Sequence, residues 1–137
     1  MTLFVESSAL LKRYVDEPET TTVLVAMEGD REWIASALAH TEAALTLCHA
    51  GLTDDERAAA RERLDEDWQR FRVLPADAAC LQRAVEIGCD QRIRTLDAIH
   101  LAAADRLPRP VAFLTFDHRQ ANAARALGFD VVGIADE

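Results

Sequence analysis

The chain has 137 residues, 50% of them hydrophobic and 28% charged, which fits one globular domain spanning residues 1–137 and able to bury a real core. Its apolar runs are too short to span a bilayer, and no basic segment followed by an apolar run opens it, so a cytoplasmic home is expected. Lysine plus arginine (15) against aspartate plus glutamate (24) leaves a net charge of −9, which argues against holding nucleic acid by bulk positive charge.

A nuclease stays compatible with that balance, because acids clustered around divalent cations add to the negative count. Lys12 is the sole lysine; the other basic residues are arginine, which suits bidentate contact with phosphate or carboxylate. Cys48, Cys80 and Cys89 are odd in number and lack C-x-x-C spacing, so they read as small buried hydrophobes in a reducing compartment.

Leu3-Phe4-Val5 reads as a short buried strand, followed at the joint by Glu6 and two hydroxyl residues, then by a helix from Ser8 to about Val15. Asp16-Glu17-Pro18-Glu19 breaks that helix, and Pro18 suits the first turn of the next, from about Glu19 to Glu28, ended by Gly29-Asp30. Glu32 to Ala35 is a second strand. Ala37 to Ala50 is a helix stopped by Gly51. Thr53-Asp54-Asp55-Glu56 opens a charged helix to about Gln69 with a capping box, Leu64 and Trp68 forming an inward pair.

Phe71 to Leu74 is a third strand that Pro75 ends. Ala76 to Ile87 is a helix with Leu81, Val85 and the alanines inward, closed by Gly88. Thr95 to Leu107 is another, with Thr95 as its candidate N-cap and Pro108 and Pro110 beyond it. Val111 to Thr115 is the clearest buried strand, followed by a helix from His118 to Leu127, Gly128, and a last strand at Val131-Val132. Short apolar strands alternating with amphipathic helices predict an α/β fold, a parallel sheet covered on both faces.

Ligands of open parallel sheets bind beyond the carboxyl ends of the strands, where strand order reverses. Glu6 follows the first strand and Asp117 the Val111–Thr115 strand, so both face one crevice if those strands are neighbours. Glu42 falls in the stripe Ala35-Leu38-Glu42-Leu45, and a carboxylate facing a core needs a partner or a metal. Asp97 lies in a first helical turn and can point past the helix end. Each acid also has a structural reading: Asp97 as a helix-dipole residue, Asp117 as an N-cap, Glu6 as an acid on a turn, Glu42 paired with an arginine such as Arg94. Together, hard oxygen ligands without adjoining histidine or cysteine suit Mg²⁺ or Mn²⁺ and phosphodiester chemistry.

The chain resembles the PIN-domain family, and within it the VapC-type toxins of bacterial toxin–antitoxin pairs. The resemblance rests on Val5-Glu6-Ser7-Ser8-Ala9-Leu10-Leu11-Lys12 with Glu17-Pro18, on Glu42, and on Leu114-Thr115-Phe116-Asp117 with Ala123-Ala124-Arg125-Ala126-Leu127-Gly128. The run Arg94-Thr95-Leu96-Asp97-Ala98-Ile99-His100-Leu101-Ala102 is its most specific signature. It implies a three-layer α/β/α, Rossmann-like fold with a five-stranded parallel sheet, Mg²⁺- or Mn²⁺-dependent endoribonuclease activity, a homodimer, and a small cognate VapB-like antitoxin. It further implies a site of Glu6, Glu42, Asp97 and Asp117, with Glu6, Asp97 and Asp117 holding metal, Glu42 positioning metal or water, and Ser8 and Thr115 in support.

The family's first acid is almost always aspartate, and here it is Glu6. The added methylene lengthens the arm by about 1.5 Å, while Mg²⁺ holds its ligands near ~2.1 Å in strict octahedral geometry. Glu6 is expected to fold back, bind through a water, or favour Mn²⁺. The alternatives are a degenerate PIN domain acting as a binding or regulatory module, and a different metal phosphodiesterase or DNA-directed nuclease. His100 is expected to pack or hydrogen-bond, His118 and Arg119 to sit at the crevice mouth, and Lys12, Arg13, Arg92 and Arg94 to form a basic rim. Trp33 and Trp68 read as core or interface packing, and Leu10, Leu11, Tyr14, Val23 and Leu24 as apolar surface for a dimer or antitoxin.

Overall fold

The computed structural model describes residues 2–29 and 32–134; Asp30, expected to help end the second helix, lies outside them. Five short strands form the sheet: β1 Thr2–Val5, β2 Trp33–Ser36, β3 Arg72–Leu74, β4 Val111–Leu114 and β5 Asp130–Val132. All pair in parallel, in the order β3-β2-β1-β4-β5. The order reverses between β1 and β4, which run in register from Thr2 opposite Val111 to Val5 opposite Leu114. This is the neighbour relation that Glu6 and Asp117 require.

Among the described residues seven helices connect the strands: α1 Ser7–Lys12, α2 Thr20–Gly29, α3 Leu38–His49, α4 Asp54–Trp68, α5 Ala78–Gln91, α6 Thr95–Ala104 and α7 His118–Ala126. Strand alternation divides the core into two layers. Leu3, Val5, Trp33, Ala35, Ala112 and Leu114 pack with residues of α1 to α4, whereas Phe4, Ile34, Val111 and Phe113 pack with α5 to α7. Phe4 and Phe113 stack across the β1–β4 pair at 5.2 Å. The result is the three-layer α/β/α fold. No helix among the described residues is long and apolar enough to cross a membrane.

Several helix ends form as their residues dictate. Thr53 and Glu56 make the capping box, Glu56 N–H donating to Thr53 Oγ1 at 3.1 Å and Thr53 N–H to Glu56 Oε1 at 2.8 Å. Gly128 follows α7 at φ +87°, the left-handed position a C-terminal glycine serves. Pro18 precedes α2 instead of sitting in its first turn. Thr95 is the first residue of α6, and Arg94 takes the cap position without a side-chain bond. Gly88 does not close α5, which runs on to Gln91 and stops at Arg92 in the left-handed region; a Cβ at Gly88 would lie 3.5 Å from Ala98 Cβ, so glycine there sits where α5 and α6 approach closely.

Two helices turn a different face inward than large-residue periodicity suggests. On α3 the buried residues are Ala39, Ala43, Ala44 and Leu47, and Leu45 is 57% exposed. On α5 they are Cys80, Ala84 and Ile87, with Leu81 and Val85 exposed. Small residues face inward and let both helices pack close. Leu10, Tyr14 and Val23 belong to the core rather than to an apolar surface, with Leu11 and Leu24 half-buried. Cys80 alone of the three cysteines is buried; Cys48 and Cys89 are exposed thiols. Trp33 and Trp68 do pack inward around Phe71, at 5.5 and 5.2 Å between ring centroids.

Candidate active site

Glu6 leaves the end of β1 with its N–H bonded to the Leu114 carbonyl of β4, and its side chain turns back onto α1. It accepts the Ser8 N–H at 3.1 Å and the Ser8 hydroxyl. Glu6 is therefore buried as the cap of the short α1, and burial pushes its carboxyl above the ordinary range despite the His100 ring and the Ser8 bonds.

Glu42 stands on the flank of α3. Its Oε1 accepts the Ser7 hydroxyl at 2.8 Å and bonds His100 Nε2. Burial alone would raise its carboxyl, but the bond to His100, the electrostatic pull of that ring and the Ser7 hydroxyl outweigh it and hold the group below its usual value. The partner is thus not Arg94. That arginine, 83% exposed, reaches Asp97 instead, with Nε 3.7 Å from Oδ2.

Asp97 sits in the first turn of α6. Burial, then the neighbouring carboxylate of Asp117, pushes its carboxyl up, against the pull of Arg94. Asp117 caps α7, its Oδ1 accepting the Gln120 N–H at 2.8 Å. Its own N–H donates to Thr115 Oγ1 at 3.2 Å. Thr115, fully buried, donates to Gln120 Oε1 at 2.7 Å and lies 3.4 Å from Glu6 Oε2, while Gln120 Nε2 reaches the Asp97 carbonyl at 3.4 Å. Thr115 and Gln120 thus tie the strand ends to the start of α6.

Two cavities open over these residues. One of about 530 Å³ is lined by Glu42, Arg94, Thr95, Leu96 and Asp97. The other, about 360 Å³, is lined by Ile93, Arg94, Asp97, Asp117, His118 and Arg119. Asp97 and Arg94 line both, so three of the four acids border two adjoining cavities. Glu6 lines neither and lies beneath, linked through Thr115. The rim is Arg94, His118 and Arg119, with Arg92 exposed nearby on the chain. Lys12 and Arg13 are withdrawn from it: Lys12 pairs with Glu17 at 2.7 Å over the Phe116 ring, and Arg13 pairs with Asp67 at 2.8 Å.

A family model for the PIN domain matches residues 3–126. The chain belongs to the PIN-domain family. It is 36% identical over 132 residues to ribonuclease VapC47 of Mycobacterium tuberculosis, covering 93% of each chain. It is 34% identical over 131 residues to ribonuclease VapC46 of the same species, covering 95% of each. Among solved structures, FitAcB from Neisseria gonorrhoeae superposes with a TM-score of 0.77 at 18% identity, over 96% of this chain and 97% of that one. A toxin–antitoxin complex from Klebsiella pneumoniae gives a TM-score of 0.71 at 15% identity, over 97% of both. These likenesses carry the fold. The VapC relatives place this PIN domain with the VapC-type toxin ribonucleases, as its opening motif and its Leu-Asp-Ala-Ile-His-Leu-Ala run imply.

The PIN domain's donor set suits a hard divalent cation, because its groups are carboxylate oxygens, and burial together with the nearby Asp117 carboxylate already lifts Asp97. Among the described residues no three or more His, Cys, Asp or Glu side chains stand grouped to hold an ion. Two carboxylates with water completing the shell is an ordinary way for Mg²⁺ to be held. Reading the sequence missed Ser7 and Gln120. For His100 a signal existed, since three residues from Asp97 is the same face of α6.

Proposed function

We propose that this PIN domain is the toxin of a VapBC-type pair, a metal-dependent endoribonuclease that hydrolyses RNA phosphodiester bonds. The observation that carries the reading is that Asp97 lines two adjoining cavities, one with Glu42 and the other with Asp117, with Arg94 bordering both and Arg119 the second. Asp97 and Asp117 are the residues that would hold Mg²⁺ or Mn²⁺ directly, with Glu6, turned back onto Ser8, serving the ion through water. When bound, such an ion polarises a phosphoryl oxygen and acidifies a water.

The remaining work falls to the protein. Glu42, ionised at neutral pH, orients the attacking water and receives its proton. Arg94 and Arg119 draw the phosphate backbone into an otherwise acidic molecule, giving local positive charge where the total is negative. Thr115 and Gln120 keep Asp117 and the start of α6 in fixed relation.

Purified protein incubated with total RNA and Mn²⁺ or Mg²⁺, beside an Asp97→Asn control, tests the reading. Cleavage by the parent alone is expected. No cleavage above the control would favour a degenerate domain that binds without cutting, a reading consistent with Glu6 being drawn back to Ser8.

The partners follow from the same reading: a small cognate antitoxin that covers the opening, and a second copy of the chain. Leu45, Leu81, Val85 and Leu96 are large apolar residues left exposed on α3, α5 and α6, and Leu81 and Val85 border an apolar cavity of about 420 Å³. They supply the surface for a homodimer. Light scattering at micromolar concentration gives twice the chain mass if that is right.

A further inference from the structure

The acids of the site leave one buried polar pair unexplained. Of the seven residues α6 buries, six are alanine, isoleucine or leucine, and the seventh is His100 at 0% exposed. An imidazole enclosed in this way is unfavourable unless both ring nitrogens are bonded. Here Nε2 meets Glu42 Oε1 and lies 3.0 Å from Ser7 Oγ, while Nδ1 is buried without a hydrogen-bond partner among the described residues. A leucine would fill the same space without an orphaned nitrogen. The ring's value therefore lies in what Nε2 does.

The donors can be assigned from hydrogen count. Ser7 has one hydroxyl hydrogen and gives it to Glu42 Oε1 at 2.8 Å. A bare Nε2 would face the same carboxylate oxygen lone pair to lone pair, so Nε2 carries hydrogen; Nδ1, buried with no acceptor to receive one among the described residues, is assigned as the empty nitrogen. Two donors, from the first residue of α1 and the middle of α6, thus converge on one oxygen of a residue on α3. With Oε1 held from both sides, Oε2 is the oxygen left for the cavity that Glu42 lines with Arg94, Thr95, Leu96 and Asp97.

We infer that Ser7 and His100 are positioning residues that clamp Oε1 of Glu42 and so fix its Oε2 toward the substrate opening. Neither touches the reacting atoms. The kinetic consequence rests on the nuclease reading above; the clamp itself does not. The pull on the Glu42 carboxyl, held low against its own burial, agrees with two donors fixed on it.

The test combines a structural and a kinetic arm. Nitrogen-15 NMR of the parent should show His100 as the Nε2–H tautomer with a strongly downfield proton, and that proton should move upfield in Glu42→Ala. His100→Leu should fold with a melting temperature at or above the parent's. It should lose about 10- to 100-fold in kcat with KM for an RNA oligonucleotide within about twofold, the signature of a misplaced group rather than lost binding. His100→Gln, whose amide can present a donor near Nε2, should regain most of that loss, and Ser7→Ala should lose kcat by less than His100→Leu.

An Nδ1–H tautomer, an unmoved proton in Glu42→Ala, or parent-level kcat in a folded His100→Leu would each overturn the inference. If the parent cuts no RNA above Asp97→Asn, the nuclease reading fails, and the tautomer and its response to Glu42→Ala alone decide the clamp.

Discussion

Glu6 accepts two hydrogen bonds from Ser8, one from its backbone N–H and one from its hydroxyl, so the first acid of the site is also the cap of the helix that follows it. The carboxylate is buried and its carboxyl raised, chiefly by loss of water. In the window between the ordinary carboxyl range and that raised value, the folded state binds more protons than the unfolded state, so stability falls as pH rises through it. Below the window the contribution is fully present. Glu6→Gln keeps an acceptor for Ser8 and removes the charge. Its melting temperature should match the parent's at the acid end of that window and exceed it increasingly as pH rises through the window, levelling off above it. Circular dichroism melts in EDTA across that range check this; a gap that stays constant with pH would refute the linkage.

Shortening the same side chain tests the metal. Aspartate is at least as good a helix cap as glutamate and places its oxygens nearer the backbone. If the long arm of Glu6 is what strains an octahedral ion, Glu6→Asp should raise the Mg²⁺-supported rate by about tenfold while changing the Mn²⁺-supported rate less. Equal rates for parent and variant in both metals would show that the extra methylene carries no consequence.

The parts of this molecule legible in the sequence are those fixed by strand periodicity and by chain direction. Five parallel strands put Glu6 and the Thr115–Asp117 corner at neighbouring ends, and a helix starting at Thr95 put Asp97 in its first turn. Helix facing was less legible where alanine does the packing. The stripe through Leu38, Glu42 and Leu45 predicts one face of α3, and the buried face through Ala39, Ala43 and Leu47 is turned from it by roughly 130°. Glu42 consequently sits at the flank, where it can reach both Ser7 and the opening. Nor could adjacency in sequence separate Ser7 from Ser8. The first serves Glu42 and His100 while the second serves Glu6, a division set by where α3 and α6 lie.

Gly133 shows how far outside the acid cluster the site's support extends. It follows β5 at φ +108°, and a Cβ there would stand 2.5 Å from the Thr115 carbonyl oxygen and 3.1 Å from the Phe116 ring. Neither the backbone torsion nor the space suits a side chain. Gly133→Ala should cost about 2 kcal/mol or more in urea unfolding, and it should displace the corner that holds Asp117. Cleavage assayed well below both melting temperatures should also fall. Parent-like stability would mean that the segment after β5 can lift away without consequence.

Arg94 makes opposed predictions for two ligands of one site. Its guanidinium is mostly exposed and 3.7 Å from Asp97 Oδ2, a pair that contributes little to folding but stands where both phosphate and a divalent cation would approach. Removing it in Arg94→Ala takes away attraction for RNA and repulsion for metal. KM for an RNA oligonucleotide should rise about three- to tenfold, with a shallower dependence on salt, because one phosphate contact is lost. The dissociation constant for Mn²⁺, read by calorimetry without RNA, should fall about two- to fivefold, as a like charge leaves a partly screened site. Because Asp97 loses the group that opposes its raised carboxyl, the metal gain should be largest above the range in which that carboxyl titrates, where no proton competes. A variant that bound RNA and Mn²⁺ both more weakly would instead mean that Arg94 holds Asp97 in place, and that its charge matters less than its contact.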